Sequence, residues 1–101
     1  MSNNLENLVK TIRDRKNKSE DKSYTSSLLS GGLSKCIDKM EEEFGELQEA
    51  LNNKSNVVHE AADTIYHILV ALEAADIKFE DVLKELENRK KQSGIKEKNS
   101  R

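Results

Sequence analysis

Between Leu33 and Leu51 the apolar residues Leu33, Ile37, Met40, Phe44, Leu47 and Leu51 step alternately by four and three. That spacing gathers side chains on one face of an α-helix and would scatter them over both faces of a strand. It predicts a helix over Leu33–Asn53, about five turns long. The polar run Asn52-Asn53-Lys54-Ser55-Asn56 then breaks the pattern, and a second apolar stretch, Val57 to Ala75, follows at once. So short a connection makes the two helices antiparallel neighbours in an αα-hairpin. Ser55 or Asn56 is expected to cap the second helix by accepting a hydrogen bond from one of its free N–H groups. The second stretch is apolar almost all the way round, which marks it as the central helix, covered on more than one side.

The flanking segments are also helical in pattern. Leu5, Leu8, Val9 and Ile12 share one face of a first helix running to about Lys16. Asn17 to Ser23 is polar and aperiodic, a connecting loop. Tyr24 to Ser30 reads as a brief helix ended by Gly31 and Gly32, since glycine accepts the left-handed conformation of a helix C-terminus. Ile77 to Phe79 makes a turn. Phe79, Val82, Leu83 and Leu86 then form a last amphipathic helix, with Asp81 near its start and Arg89, Lys90 and Lys91 near its end, matching the helix dipole. Residues 1–92 are read as one all-α domain and 93–101 as a polar, disordered tail.

Composition supports this class, for the chain has no proline and only four glycines while 36% of its residues are charged. With 101 residues and 35% hydrophobic content the core must be thin, so self-association is expected to enlarge it. A net charge of −2 argues against nucleic acid or an anionic membrane as partner. The single cysteine, Cys36, cannot close an intramolecular disulfide, and with no signal-peptide pattern the expected compartment is the cytoplasm.

Two carboxylate pairs stand out: Glu43 with Glu46, and Glu60 with Asp63, each three residues apart and so adjacent on a helix face. At roughly 100° per residue, Glu60, Asp63 and His67 fall on one side of the central helix. Val58, Ala61, Ala62, Ile65, Leu69 and Leu72 fall on the other. The acids' own neighbours are Val70, Ala71 and Ala74, so these carboxylates point into partly covered space. Covered acids are costly unless neutralised. The hairpin brings the two pairs opposite each other, and all-oxygen ligation suits Mg²⁺, with Mn²⁺ as the alternative, and disfavours Zn²⁺. The competing reading is a structural bundle whose acids pair with Lys39 and other bases on solvated faces. Arg13, Arg15 and Lys16, with the hydroxyls of Ser23 to Ser27, would suit phosphate oxygens, but they are also ordinary loop residues.

The order Arg15-Lys16, Ser23-Tyr24-Thr25 with Ser27-Leu28, Gly32-Leu33, Lys35, Lys39, Glu42-Glu43-x-x-Glu46, and Glu60-Ala61-Ala62-Asp63 with Tyr66-His67 resembles the phosphoribosyl-ATP pyrophosphohydrolases of histidine biosynthesis. The resemblance covers roughly Leu5 to Arg89. The two acid pairs alone are shared with the wider MazG-like all-α nucleotide pyrophosphohydrolases, including dUTPase-like enzymes; the Ser-Tyr-Thr-x-Ser-Leu segment and the Tyr-His pair narrow it. Glu41 stands where a glycine is common and Gly45 where a β-branched residue is common.

The resemblance implies a homodimeric helical bundle that hydrolyses the α–β phosphoanhydride of phosphoribosyl-ATP to phosphoribosyl-AMP and pyrophosphate by metal-assisted in-line attack of water. It implies Glu43, Glu46, Glu60 and Asp63 as metal ligands, with Glu42, Glu43 and Glu46 at the chemistry. Arg15, Lys16, Tyr24, Lys35, Lys39 and His67 would then contact substrate. Cys36 is expected to be a small core residue. Two alternatives remain at this point: a house-cleaning enzyme acting on a nucleoside triphosphate through the same four acids, and a non-catalytic helical interaction module.

Overall fold

The computed structural model describes residues 2–16 and 24–91. They form five helices: α1 (Ser2–Lys16), α2 (Tyr24–Ser30), α3 (Leu33–Asn53), α4 (Val57–Ala74) and α5 (Phe79–Lys90). The expected loop 17–23 and tail 93–101 lie outside the described residues. Helix α1 begins three residues before the first apolar position, and α4 ends one residue early, with Ala75 as its C-cap.

Helices α3 and α4 make the most extensive pairing, the expected antiparallel hairpin, and α4 also touches α1, α2 and α5. Its centrality is therefore real, but toward its N-terminal half only the acids' side is covered, and the opposite side is buried only further on, at Leu69. Thr64, His67, Val70 and Ala71 are buried, whereas Val58 and Ile65 on the opposite side are 84% and 50% exposed. The core gathers at the C-terminal half of α4: Val9 and Ile12 of α1, Leu28 of α2, Cys36 of α3, and Leu69, Val70 and Ala71. Truncating a side chain as enclosed as Ile12 would cost roughly 2–5 kcal/mol.

The apolar stripe of α3 is likewise only half used. Met40 packs against the core, while Leu33, Ile37, Phe44 and Leu51 remain exposed along one flank. Beside the exposed side of α4 they leave an apolar surface with no cover among the described residues. Cys36 is a core residue as expected, 1% exposed, its thiol donating to the Leu28 carbonyl at 3.3 Å.

The connections differ in detail from the expected ones. Gly31 does not take a positive φ; it is Gly32, at the N-cap of α3, that does, at 90°. Such backbone is strained for any residue with a Cβ. The hairpin turns on Lys54 and Asn56, both left-handed at φ 54° and 60°, with the Lys54 N–H donating to the Ala50 carbonyl. Because Asn56 is left-handed and not extended, its side chain does not cap α4 as predicted.

The far end of α4 is clamped to α1 and α5. The Arg13 guanidinium donates to Glu73 at 3.2 Å and to both Glu80 oxygens, at 3.2 and 3.0 Å. Lys16 Nζ donates to the Glu73 carbonyl at 2.7 Å and pairs with Asp76. Cations there also complement the C-terminal end of the α4 dipole.

Candidate active site

The carboxylates converge where α3 and α4 run side by side. Ligand-capable oxygens of Glu43, Glu46 and Glu60 lie within 4.8 Å of one another. Glu60 belongs also to a second such group with Asp63 and His59, on the same scale. His59 Nε2 stands 3.2 Å from an Asp63 oxygen and 3.7 Å from Glu60. The two pairs thus meet through Glu60, with Asp63 flanking the trio and His59 closing the outer edge.

Helix periodicity explains the convergence. One turn separates each pair, so both acids of a pair project from the same face, and antiparallel packing sets the faces together. A third group fixes the register. The Thr64 hydroxyl lies 2.8 Å from the Glu60 carbonyl and 3.2 Å from the Glu43 carbonyl across the helix pair. It bridges the backbones of α3 and α4 at the level of the acids.

Glu43 is the most enclosed of the four, 9% exposed, and its Oε2 is buried without a hydrogen-bond partner. Burial raises its pKa first, and the neighbouring Glu46 adds to the effect. Glu60 is pushed in the same direction, by desolvation and again by Glu46. Like charges packed this closely disfavour one another's ionised form. An orphaned buried carboxylate oxygen facing two further carboxylates is what a hard divalent cation would satisfy, and the oxygen-rich donor set fits Mg²⁺ or Mn²⁺. His59 at the rim is a nitrogen donor such ions do not require.

A hydrogen-bonded column supports the site from α2. His67, 5% exposed, has Nδ1 at 2.7 Å from the Asp63 carbonyl, which can only accept. Nδ1 therefore carries the proton, and Nε2 accepts from the Tyr24 hydroxyl at 3.1 Å. The rings of Tyr24 and Tyr66 both meet the imidazole edge-on. The Tyr66 hydroxyl bonds to Thr25, and burial pushes the Tyr66 phenol up.

The basic candidates separate. Lys39 donates to Glu42 at 3.2 Å, a bond that raises its pKa and keeps it charged. Lys35 lies one turn earlier on the same side of α3, exposed, its stem packed over Gly31. Arg15 accepts a hydrogen bond from Ser26 at its carbonyl, and its charge acts on Tyr66. Lys16 is not brought to the acids; it is held by Glu73 and Asp76 at the other end of α4. Glu42 is exposed and paired with Lys39, outside the carboxylate groups that converge.

Two members of the cluster escaped the sequence reading. Thr64 had a signal, lying four residues after Glu60 on the acids' face. His59 did too, four residues before Asp63, but a histidine at the edge of an apolar run reads equally well as surface.

These features define the class first: an all-α chain whose central hairpin carries a converging carboxylate cluster, with Glu43 buried and the others at least partly open to solvent. The family model described as phosphoribosyl-ATP pyrophosphohydrolase matches residues 5–90, and the chain belongs to that family. It is 43% identical to the phosphoribosyl-ATP pyrophosphatase of Roseobacter denitrificans, over 96% of this chain and 94% of that protein. It is 41% and 40% identical to those of Paracoccus denitrificans and Rhizobium etli, each over 96% of this chain and 92% of the relative.

Proposed function

We propose that this chain hydrolyses the α–β phosphoanhydride of phosphoribosyl-ATP, yielding phosphoribosyl-AMP and pyrophosphate, the second step of histidine biosynthesis, as a single domain over residues 1–92 in the cytoplasm. Family membership over nearly the whole chain supports the substrate. The observation that carries the chemistry is the meeting of Glu43, Glu46 and Glu60, of which Glu43 keeps a buried oxygen without a hydrogen-bond partner.

Glu43, Glu46, Glu60 and Asp63 would hold Mg²⁺, or Mn²⁺ in its place. When bound, such an ion neutralises phosphate charge and lowers the pKa of water. The remaining work falls to the chain. Lys39 and Lys35 project from the face of α3 that carries Glu42 and Glu46, and there they hold phosphate oxygens as point charges. Glu42, beside Lys39, takes the proton of the attacking water as the new P–O bond forms and pyrophosphate leaves. His67 keeps Asp63 in place through its carbonyl, and Tyr24 fixes the imidazole. Arg15 serves the phosphates from α1. Lys16 would have to abandon Glu73 and Asp76 to join it, so we assign it to anchoring α4.

The active unit is a homodimer in this proposal. Leu33, Ile37, Phe44 and Leu51 on α3, with Val58 and Ile65 on α4, give each hairpin an apolar face that a second copy would cover. Among the described residues no helix is long and apolar enough to cross a membrane.

Pyrophosphate release measured with phosphoribosyl-ATP and with a panel of deoxynucleoside triphosphates tests the assignment. Turnover confined to phosphoribosyl-ATP is expected; preference for a deoxynucleoside triphosphate would make the chain a house-cleaning enzyme. Rescue of a histidine-requiring strain lacking this step gives the same answer in cells.

A further inference from the structure

One face of α3 is polar along its whole length. Lys35, Lys39, Glu42, Glu46, Glu49 and Asn53 step by four and three, so they form a single strip. Its charge changes along the way: two lysines at the N-terminal end, the acids in the middle, and beyond them Glu49 and Asn53 beside the hairpin turn. There the surface is recessed. The recess is shallow and widely open, is walled by Glu46 and Glu60 of the carboxylate cluster together with Glu49, Asn53, Ser55 and Asn56, and has a volume of about 330 Å³. That lies at the lower end of the ~300–1,000 Å³ typical of small-molecule sites.

Away from the cluster, the polar groups of this recess are uncommitted. Asn56 occupies the N-cap position of α4, yet its amide makes no capping bond. Glu49 and Asn53 make no side-chain hydrogen bond among the described residues. Two amides, a hydroxyl and a carboxylate therefore face one opening with donors and acceptors to spare. With Glu46 and Glu60 given to the cation, Glu49 is the carboxylate left over and no base lines the recess, so nothing there complements an additional phosphate group. What fits is uncharged and rich in hydroxyls, and carboxylates commonly accept hydrogen bonds from ribose hydroxyls.

We infer that the recess at the hairpin turn is a sugar subsite, in which Glu49 and Asn53 receive ribose hydroxyls of the nucleotide while its phosphates lie over the carboxylate cluster toward Lys39 and Lys35. This rests on the activity proposed above and gives the substrate a direction along α3. The sequence alone sets the strip but not the recess, because the wall contributed by Ser55, Asn56 and Glu60 comes from the other helix of the hairpin.

The test is equilibrium binding, by titration calorimetry in Mg²⁺, of phosphoribosyl-AMP and of inorganic pyrophosphate to the wild type, Glu49→Ala and Asn53→Ala. Both residues are exposed and alanine favours helix, so the variants keep the fold. Phosphoribosyl-AMP should bind at least tenfold more weakly to each variant, with pyrophosphate within twofold of wild type. Removing a hydroxyl's partner produces losses of that kind. Unchanged phosphoribosyl-AMP binding, or equal loss of both ligands, overturns the subsite, as does a wild type that binds pyrophosphate alone. Pyrophosphate release from phosphoribosyl-ATP by the wild type is followed in parallel: if it persists while the binding result is negative, the subsite alone falls, and if it is absent, the activity itself falls.

Discussion

The hydroxyl of Tyr24 and the Nε2 of His67 lie 3.1 Å apart, joining α2 to α4 beneath the acidic cluster. With its Nδ1 proton directed to the Asp63 carbonyl, the neutral imidazole accepts from Tyr24 at Nε2. Tyr24→Phe would leave a buried nitrogen without a donor. We expect a loss of about 1–2 kcal/mol, which thermal unfolding followed by circular dichroism would register as a drop of several degrees in Tm. An unaltered Tm would mean that water replaces the hydroxyl and the column bears no weight.

Glu43→Gln keeps the shape of the side chain and removes the charge a cation needs. The variant should remain helical, release pyrophosphate at least 100-fold more slowly, and show no thermal stabilisation by Mg²⁺, whereas the wild type gains several degrees at saturating metal. Asp63→Asn should follow the same pattern with a smaller thermal effect, since Asp63 flanks the trio. Near-normal turnover in either variant removes that residue from the ligand set.

Chelation offers an independent check. Activity should disappear in excess EDTA and return on adding Mg²⁺ or Mn²⁺; activity that survives chelation argues for metal-free chemistry.

Acid should act through the Arg13 clamp. The guanidinium holds Glu80 down to about 2 from an ordinary 4.5. In this range the unfolded chain takes up a proton that the folded one refuses. The contribution is therefore complete above pH 4.5 and fades as the pH falls toward 2. Glu80 is exposed, so the effect is small and weakened by salt. The Tm difference between wild type and Glu80→Gln should be largest near neutrality and close up between pH 4.5 and 2. A constant difference would show that the pair contributes through packing alone.

The apolar flank of the hairpin predicts assembly. Wild type should sediment as twice its 11.5 kDa chain mass, and Phe44→Asp or Ile65→Asp as a single chain. A wild-type monomer would refute the dimer.

Much of this was legible in the residues because helices advertise themselves. The four-and-three stepping of Leu33 to Leu51 located α3, and the meeting of Glu43 and Glu46 with Glu60 followed from one short connection, whereas Asp63 stands beside Glu60 with His59. Periodicity tells which side chains share a face, but not which face meets the rest of the chain. Hence Val58 and Ile65, as apolar as any core residue, lie outside. Lys16 shows the other limit: its partners Glu73 and Asp76 are far away in sequence, and no local pattern joins them. The capping role expected of Asn56 failed because the turn needed a left-handed residue there.

The attachments of α4 are unevenly spread. Its C-terminal half is fastened to α1, α2 and α5 through Glu73, Tyr66, His67 and the core, while at its N-terminal half Thr64 ties it to α3. Mechanically it resembles a beam fixed at one end, with the N-terminal half of α3 anchored to the same core through Cys36 and Met40. If the hairpin sways about that anchorage, both helices travel together. On the reading proposed above, the acids would then keep their mutual spacing while the gap toward α1 varied.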